Sequence, residues 1–164
     1  LIISWQEMDA PSYKHDFQGH ARLSEFWQRE EVHIRGGQQT AVRCLQLSFF
    51  DTGPGLACRF SGKGLDELTL EEERKALLGA LMKNASTKRE IGSGNGFPEV
   101  LEALQDAGGL ISLRSGRLCV FNEFSRDAFA QPDDANLFRF DNWTTEPLVP
   151  VEGAVVTLLL PIRR

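Results

Sequence analysis

The chain has 164 residues, 41% of them hydrophobic and 25% charged, with a formal net charge of -5. That is the length of one ordinary domain with enough apolar mass for a real core, and its charge gives no general attraction to nucleic acid or an acidic membrane. The longest apolar runs, such as VVTLLLPI, are too short to span a bilayer, and Cys44, Cys58 and Cys119 have no zinc-like spacing, so they read as reduced thiols of a cytoplasmic protein.

Leu1–Met8 is apolar with β-branched residues and predicts a strand, entered midway at Leu1. Asp9–Gly19 reads as loop. Ala21–Glu31 places Leu23, Phe26 and Trp27 at helical spacing, and RGGQQ ends that pattern. Ala41–Phe50 is almost continuously apolar and predicts a central strand with a helix-covered face. Phe60–Leu68 reads as glycine-dotted loop. Thr69 and Glu72 then form a capping box that opens a helix running to about Lys83. Leu70, Leu77 and Leu81 make its apolar stripe, and Glu71, Glu72, Glu73, Arg74 and Lys75 read as its solvated face. After the loop STKREIGSGNG, a second helix over Phe97–Ala107 carries Pro98 in its first turn and stops at Gly108-Gly109. LISLRSGRLCVF predicts a hairpin turning at Ser115-Gly116. Residues 123–152 read as an irregular insertion with a short strand near Leu137–Phe140, and Ala154–Ile162 as the closing strand. Strands that follow the last helix with no helix between them point to α+β, not to a doubly wound parallel sheet.

Two glycine clusters stand out, DTGPG at 51–55 and GSGNG at 92–96. Glycine backbone admits positive φ and close approach of a ligand, and a helix that begins after such a cluster offers free N–H groups to phosphate. The second cluster has no G-K-[ST] and is not a P-loop; its Gly92, Gly94 and Gly96 are not a G-x-G-x-x-G. An aspartate at the end of an apolar strand, Asp51, needs a partner for its carboxylate, and an exocyclic amine such as that of adenine is one. The plainer readings are a turn for each cluster.

Taken together and in this order, the clusters resemble the ATP-binding domain of the GHKL superfamily, which includes gyrase-type topoisomerases, ninety-kilodalton heat-shock chaperones, histidine kinases and mismatch-repair ATPases. DTGPG resembles the first glycine box, STKREIGSGNG with the helix and Gly-Gly after it the second, and EGAVVTLLLP the closing strand. The resemblance covers Ala41–Pro161 apart from the insertion. It implies a two-layer α/β sandwich of Bergerat type, a mixed, mostly antiparallel sheet with helices on one face. It gives Asp51 the adenine amine, Gly53 and Gly55 the base pocket, and Gly92, Gly94 and Gly96 the phosphate loop. Lys88 would reach the phosphates from a lid over 56–91, and Thr157 would lie near the adenine. ATP and Mg²⁺ are the implied cofactors, and a protein is the implied partner of hydrolysis or phosphoryl transfer.

Two departures matter. The family has Thr where this chain has Ala154. The family's N box, whose Asn holds Mg²⁺, has no counterpart in residues 1–50, which contain no asparagine; that helix is expected upstream of Leu1, with residues 1–164 the larger C-terminal part of the domain and inactive by themselves. His15, His20 and His33 lack a phosphoacceptor context and read as ordinary histidines. Trp5, Phe26 and Trp27 read as core or as a contact with the missing part. The alternative functional reading is a degenerate GHKL fold that binds a partner protein without catalysis, and a weaker one is an unrelated α+β domain whose glycines only make turns.

Overall fold

The structure is a computed structural model that describes residues 1–8, 20–35, 41–82, 96–124 and 138–162. Among these residues six strands, β1 (Ile2–Met8), β2 (Val42–Asp51), β3 (Leu110–Gly116), β4 (Leu118–Glu123), β5 (Asp141–Asn142) and β6 (Val151–Pro161), form one sheet in the order β1-β2-β6-β3-β4-β5. Among the described residues four α-helices accompany them: α1 (Ala21–Arg35), α2 (Leu56–Ser61), α3 (Leu70–Leu81) and α4 (Gly96–Ala107). The class is α+β, as the element order predicts, but every ladder is antiparallel where a mixed sheet was expected.

The helices lie on both faces of the sheet, not on one. Side chains alternate between faces along a strand. Ile111, Leu113, Val120 and Leu158 point to one face, where they pack with Leu77 and Leu81 of α3 and Leu101 and Leu104 of α4. Their neighbours in sequence, Leu110, Phe121 and Leu159, point to the other with Val42 and Cys44, where Leu23, Phe26 and Trp27 of α1 cover them. The apolarity of the middle of β2 and β6 has this cause, since both faces are covered there, whereas Phe49 and Phe50 at the end of β2 are exposed.

Polar bonds fix α1 to the far strands. The Arg22 guanidinium donates to the carbonyl oxygen of Arg139 (2.6 Å), to Asp141 Oδ2 (3.1 Å) and to Asn122 Oδ1 (2.5 Å). Nearly two turns on, Arg29 donates to Glu123 Oε2 at 2.5 Å. His20 meets Phe121 edge-on, ring centroids 5.4 Å apart, and leans on Trp143 at 5.8 Å. It is a packing residue at the start of α1. Phe26 and Trp27 are core, whereas Trp5 is 53% exposed on β1.

Several local expectations shift. Residues 56–61, at the start of the expected lid, form the short helix α2, and a 3-10 turn at Leu65–Glu67 interrupts the expected loop. The hairpin turns one residue later than predicted, at Gly116-Arg117. The strand expected near 137–140 is instead the two-residue β5 at Asp141–Asn142. Gly108 does close α4 in the left-handed region, at φ 66.

The largest correction concerns α3. Its capping box is as predicted: Glu72 N donates to Thr69 Oγ1 (3.2 Å), and Thr69 N donates to Glu72 Oε2 (2.9 Å). Its charged run is not wholly solvated, because Glu73 is fully buried and lies on one stripe with Leu77 and Leu81, where exposed Leu70 was expected. The carboxylate accepts from the backbone N–H of Arg117 at 2.8 Å and from its Nε at 2.7 Å. Arg117 in turn donates to the carbonyl oxygen of Leu68 at 2.6 Å. A buried carboxylate is tolerated when a cation and backbone donors satisfy it. Arg74 is drawn in as well, donating to the carbonyl oxygen of Phe140 and to Asn142 Oδ1.

Removing Glu73 therefore leaves the backbone N–H and the Nε of Arg117 without their acceptor. We expect Glu73→Ala to lower the free energy of unfolding in urea by about 3–5 kcal/mol. Glu73→Gln lowers it less, because the amide oxygen still accepts from one of the two donors. Thr69→Ala removes a helix cap and lowers stability by about 1 kcal/mol. The Thr69 backbone and hydroxyl donors, with Lys63 beyond them, hold the Glu72 carboxyl below its ordinary range. A lowered folded pKa stabilises above the unfolded value and is lost as pH falls through the folded one. The stability gap between wild type and Thr69→Ala should therefore narrow in acid, as read from unfolding curves between neutral pH and pH ~3.

Candidate functional site

The strongest candidate site is the corner where β2 ends. Strand β2 runs out of the sheet at Asp51, which pairs with Ala154 of β6 and is exposed. Next to Ala154, Gly153 has φ 79 and lies so close beneath the turn that a Cβ there would overlap the Asp51 carbonyl oxygen and come within 3.0 Å of Thr52 Cα. Gly153 is glycine because β6 crosses directly under the first glycine cluster.

Gly55 has a similar cause. It precedes α2 with φ 89, and a Cβ on it would meet Ser115 Oγ at 3.0 Å. Ser115, at the end of β3, binds both sides of this junction. Its hydroxyl accepts from Leu56 N at 3.1 Å and donates to the Gly153 carbonyl oxygen at 2.9 Å. Gly55 is thus held in place by architecture. Gly53 is not: its backbone has no positive φ, and a Cβ there would meet only Asp51 Oδ2, at 3.3 Å.

Gly53 lines an open cleft of about 940 Å³ between the D-T-G-P-G turn, α2, the Gly62–Leu65 segment and the start of β6. The volume suits a small-molecule ligand. Arg59 and Lys63 bring positive charge to its wall and Glu152 one negative charge. Lys63 Nζ stands 3.7 Å from Glu72 Oε1 with both side chains half exposed, a weak pairing. The Arg59 side chain makes no hydrogen bond or ion pair among the described residues, while its backbone N–H donates to the Gly55 carbonyl oxygen. Asp51 is not in the wall, but its closeness to Gly53 puts the carboxylate at the cleft's edge. Cys58 also lines the cleft. Burial, and then the nearby Glu73 carboxylate, push its thiol above the ordinary value, so it is a poor nucleophile at neutral pH. Burial likewise raises Cys119, and Cys44 is buried; all three are free thiols.

The other predicted site residues are distributed as follows. Gly96 begins α4, exposed, with nothing within 4 Å of a Cβ. Helix α4 packs on the face toward which Asp51 points by alternation. Thr157 is on the opposite face, its Oγ1 3.1 Å from Ser48 Oγ, and is not brought to Asp51. Lys88, Gly92 and Gly94 lie outside the described residues, as does His15. Sequence reasoning missed Ser115, Gly153, Arg59 and Lys63. Only Gly153 carried a signal, as the glycine that opens the closing-strand motif. Among the described residues no group of three His, Cys, Asp or Glu side chains is placed to hold a metal, and no helix is long and apolar enough to cross a membrane.

No family model, curated protein or solved structure matches the chain.

The different causes of the glycines give a direct test. Gly53→Ala should change stability by no more than about 0.5 kcal/mol. Gly55→Ala forces a side chain into positive φ against Ser115 and should cost about 1–3 kcal/mol. Gly153→Ala should be the most damaging of the three, since the backbone of Asp51 must move. Thermal and urea unfolding of the three variants measures this order.

Proposed function

We propose that this chain is an ATP-binding domain of the GHKL type, in which nucleotide binding is coupled to hydrolysis or phosphoryl transfer and so to action on a protein partner. The observation that carries the reading is the corner itself. The aspartate of the D-T-G-P-G turn stands exposed at the end of β2, directly across from Ala154, the position where the family's closing strand has Thr. Beside it opens a cleft walled by glycine backbone and by Arg59 and Lys63.

The chemistry of the corner suits a nucleotide. The Asp51 carboxylate is an acceptor for an exocyclic amine. Phe49, two residues earlier and so on the same face, is 43% exposed and offers an apolar wall to a base. Gly53 has no packing reason to be glycine, and a bare backbone there lets a planar ring approach. Arg59 and Lys63 supply the charge that phosphates require. Nothing in the described residues gives Mg²⁺ a set of protein donors, so no metal-dependent step is assigned to them. Helix α1 on the second face goes beyond the two-layer architecture that the resemblance implies.

A second reading, a non-catalytic GHKL-like module that binds a partner protein, is favoured by Ala154 in place of Thr and by Phe50, 55% exposed on the face away from Asp51.

Calorimetric titration of ATP and ADP, each with and without Mg²⁺, separates the two. The nucleotide reading expects measurable binding that weakens about 10- to 100-fold in Asp51→Asn, the value of one hydrogen bond to a charged group. It expects a smaller loss in Arg59→Ala, larger for ATP than for adenosine. Absence of heat with every nucleotide rejects it and leaves the partner-binding module.

A further inference from the structure

The two cations of the cleft wall are held differently. Arg59 lies in the last turn of α2, and its side chain has no partner among the described residues. Lys63 follows α2, between Gly62 and Gly64, and borders two spaces at once. One is the cleft. The other is a smaller hollow of about 250 Å³ beside α3, lined also by Phe60, Leu68 and Glu72. Glu72 lines the hollow and not the cleft. The Lys63 ammonium stands 3.7 Å from Glu72 Oε1, with both side chains half exposed. The carboxylate is fixed on its other side: Oε2 accepts from Thr69 N and from Thr69 Oγ1, each at 2.9 Å, as part of the α3 cap. Lys63 is therefore the movable member of the pair, a point charge on a flexible four-carbon stem.

We propose that Glu72 competes with an anionic ligand of the cleft for the Lys63 ammonium, and so sets how tightly the cleft holds phosphate. The ligand class, a chain of two or more phosphates, rests on the nucleotide reading above. The competition itself follows from the place of Lys63 between Glu72 and the cleft. An exposed pair of this kind contributes little and is broken easily. A ligand that carries several negative charges beside Arg59 attracts the ammonium more strongly than one carboxylate does. Binding that breaks the Lys63–Glu72 pair is then weakened by what the pair contributed. Arg59 has no such tie, so it serves the ligand without that loss. Glu72 in this way joins the cap of α3 to the occupancy of the cleft, though it does not line the cleft itself.

Calorimetric titration of inorganic pyrophosphate and of ATP reads this competition, at low salt where exposed charges are least screened. Glu72→Gln keeps the cap, because an amide oxygen still accepts from Thr69 N, but removes the charge that holds Lys63. It should bind pyrophosphate about 2- to 5-fold more tightly than wild type. Glu71→Gln is the control: Glu71 is the neighbouring exposed carboxylate, and its substitution makes the same change in net charge. Its gain should be clearly smaller. Lys63→Gln should weaken binding, and Glu72→Gln added to it should gain no more than Glu71→Gln does. A gain in Glu72→Gln no larger than that of Glu71→Gln overturns the proposal. So does a gain that persists without Lys63, or a protein that binds neither pyrophosphate nor ATP. Should ATP give no heat while pyrophosphate shows the Glu72 effect, the nucleotide reading falls and the competition stands.

Discussion

The buried Glu73 carboxylate is the contact on which the candidate site's geometry depends. Its partners are the backbone N–H and side chain of Arg117, in the turn that joins β3 to β4. The carboxylate also presses against the turn closely enough that a Cβ on Gly116, at φ 56, would overlap Oε1. One residue earlier, Ser115 bonds to Gly153 and to the first residue of α2. Gly153 in turn lies under Asp51 and Thr52. A short chain of contacts therefore runs from α3 through the hairpin turn to the D-T-G-P-G corner. Each link is a hydrogen bond or a steric limit, so the position of Asp51 follows from how α3 is seated.

The opposite face is organised by arginine. Arg22 and Arg29 are nearly two turns apart on α1, and both reach the polar end of β4, where Asn122 is fully buried. Planar guanidinium groups make several directed bonds at once, which suits them to fixing a helix on a sheet. The described part of the 123–152 segment reaches both sides, with Phe140 packed in the core of α3 and α4 and Trp143 against that of α1. Trp143 N bonds to the Cys119 carbonyl oxygen, and Arg22 binds Asp141. What reads in sequence as an irregular insertion is, where described, the edge of the sheet and a rim for α1.

Much of the fold was legible because its signals are local. The capping box at Thr69 needs only residues three positions apart, and the strands β2 and β6 announce themselves by apolar runs. The failures share a cause. Glu73 looks like its neighbours Glu71 and Glu72 until Arg117, 44 positions along the chain, is brought beside it. The second face could not be read either, since α1 carries its apolar stripe whichever face it covers. Thr157 was placed near Asp51 from its strand alone, whereas the pleat sends it to the far face beside Ser48.

The glycine cluster itself divides into two kinds of glycine. Gly55 and Gly153 are explained by their backbone and by what they touch, and a protein that needed only a turn would keep them. Gly53 is not explained this way. Nothing in the packing excludes a methyl group there except the Asp51 carboxylate beside it. An exposed aspartate next to an unneeded glycine, at the edge of a cleft with an arginine whose side chain has no partner among the described residues, is a poor arrangement for stability alone. Sites depart from local optima where a ligand must fit. The part of the cluster that architecture leaves unaccounted for is also the part that borders the cleft, and this is where the nucleotide reading locates the base.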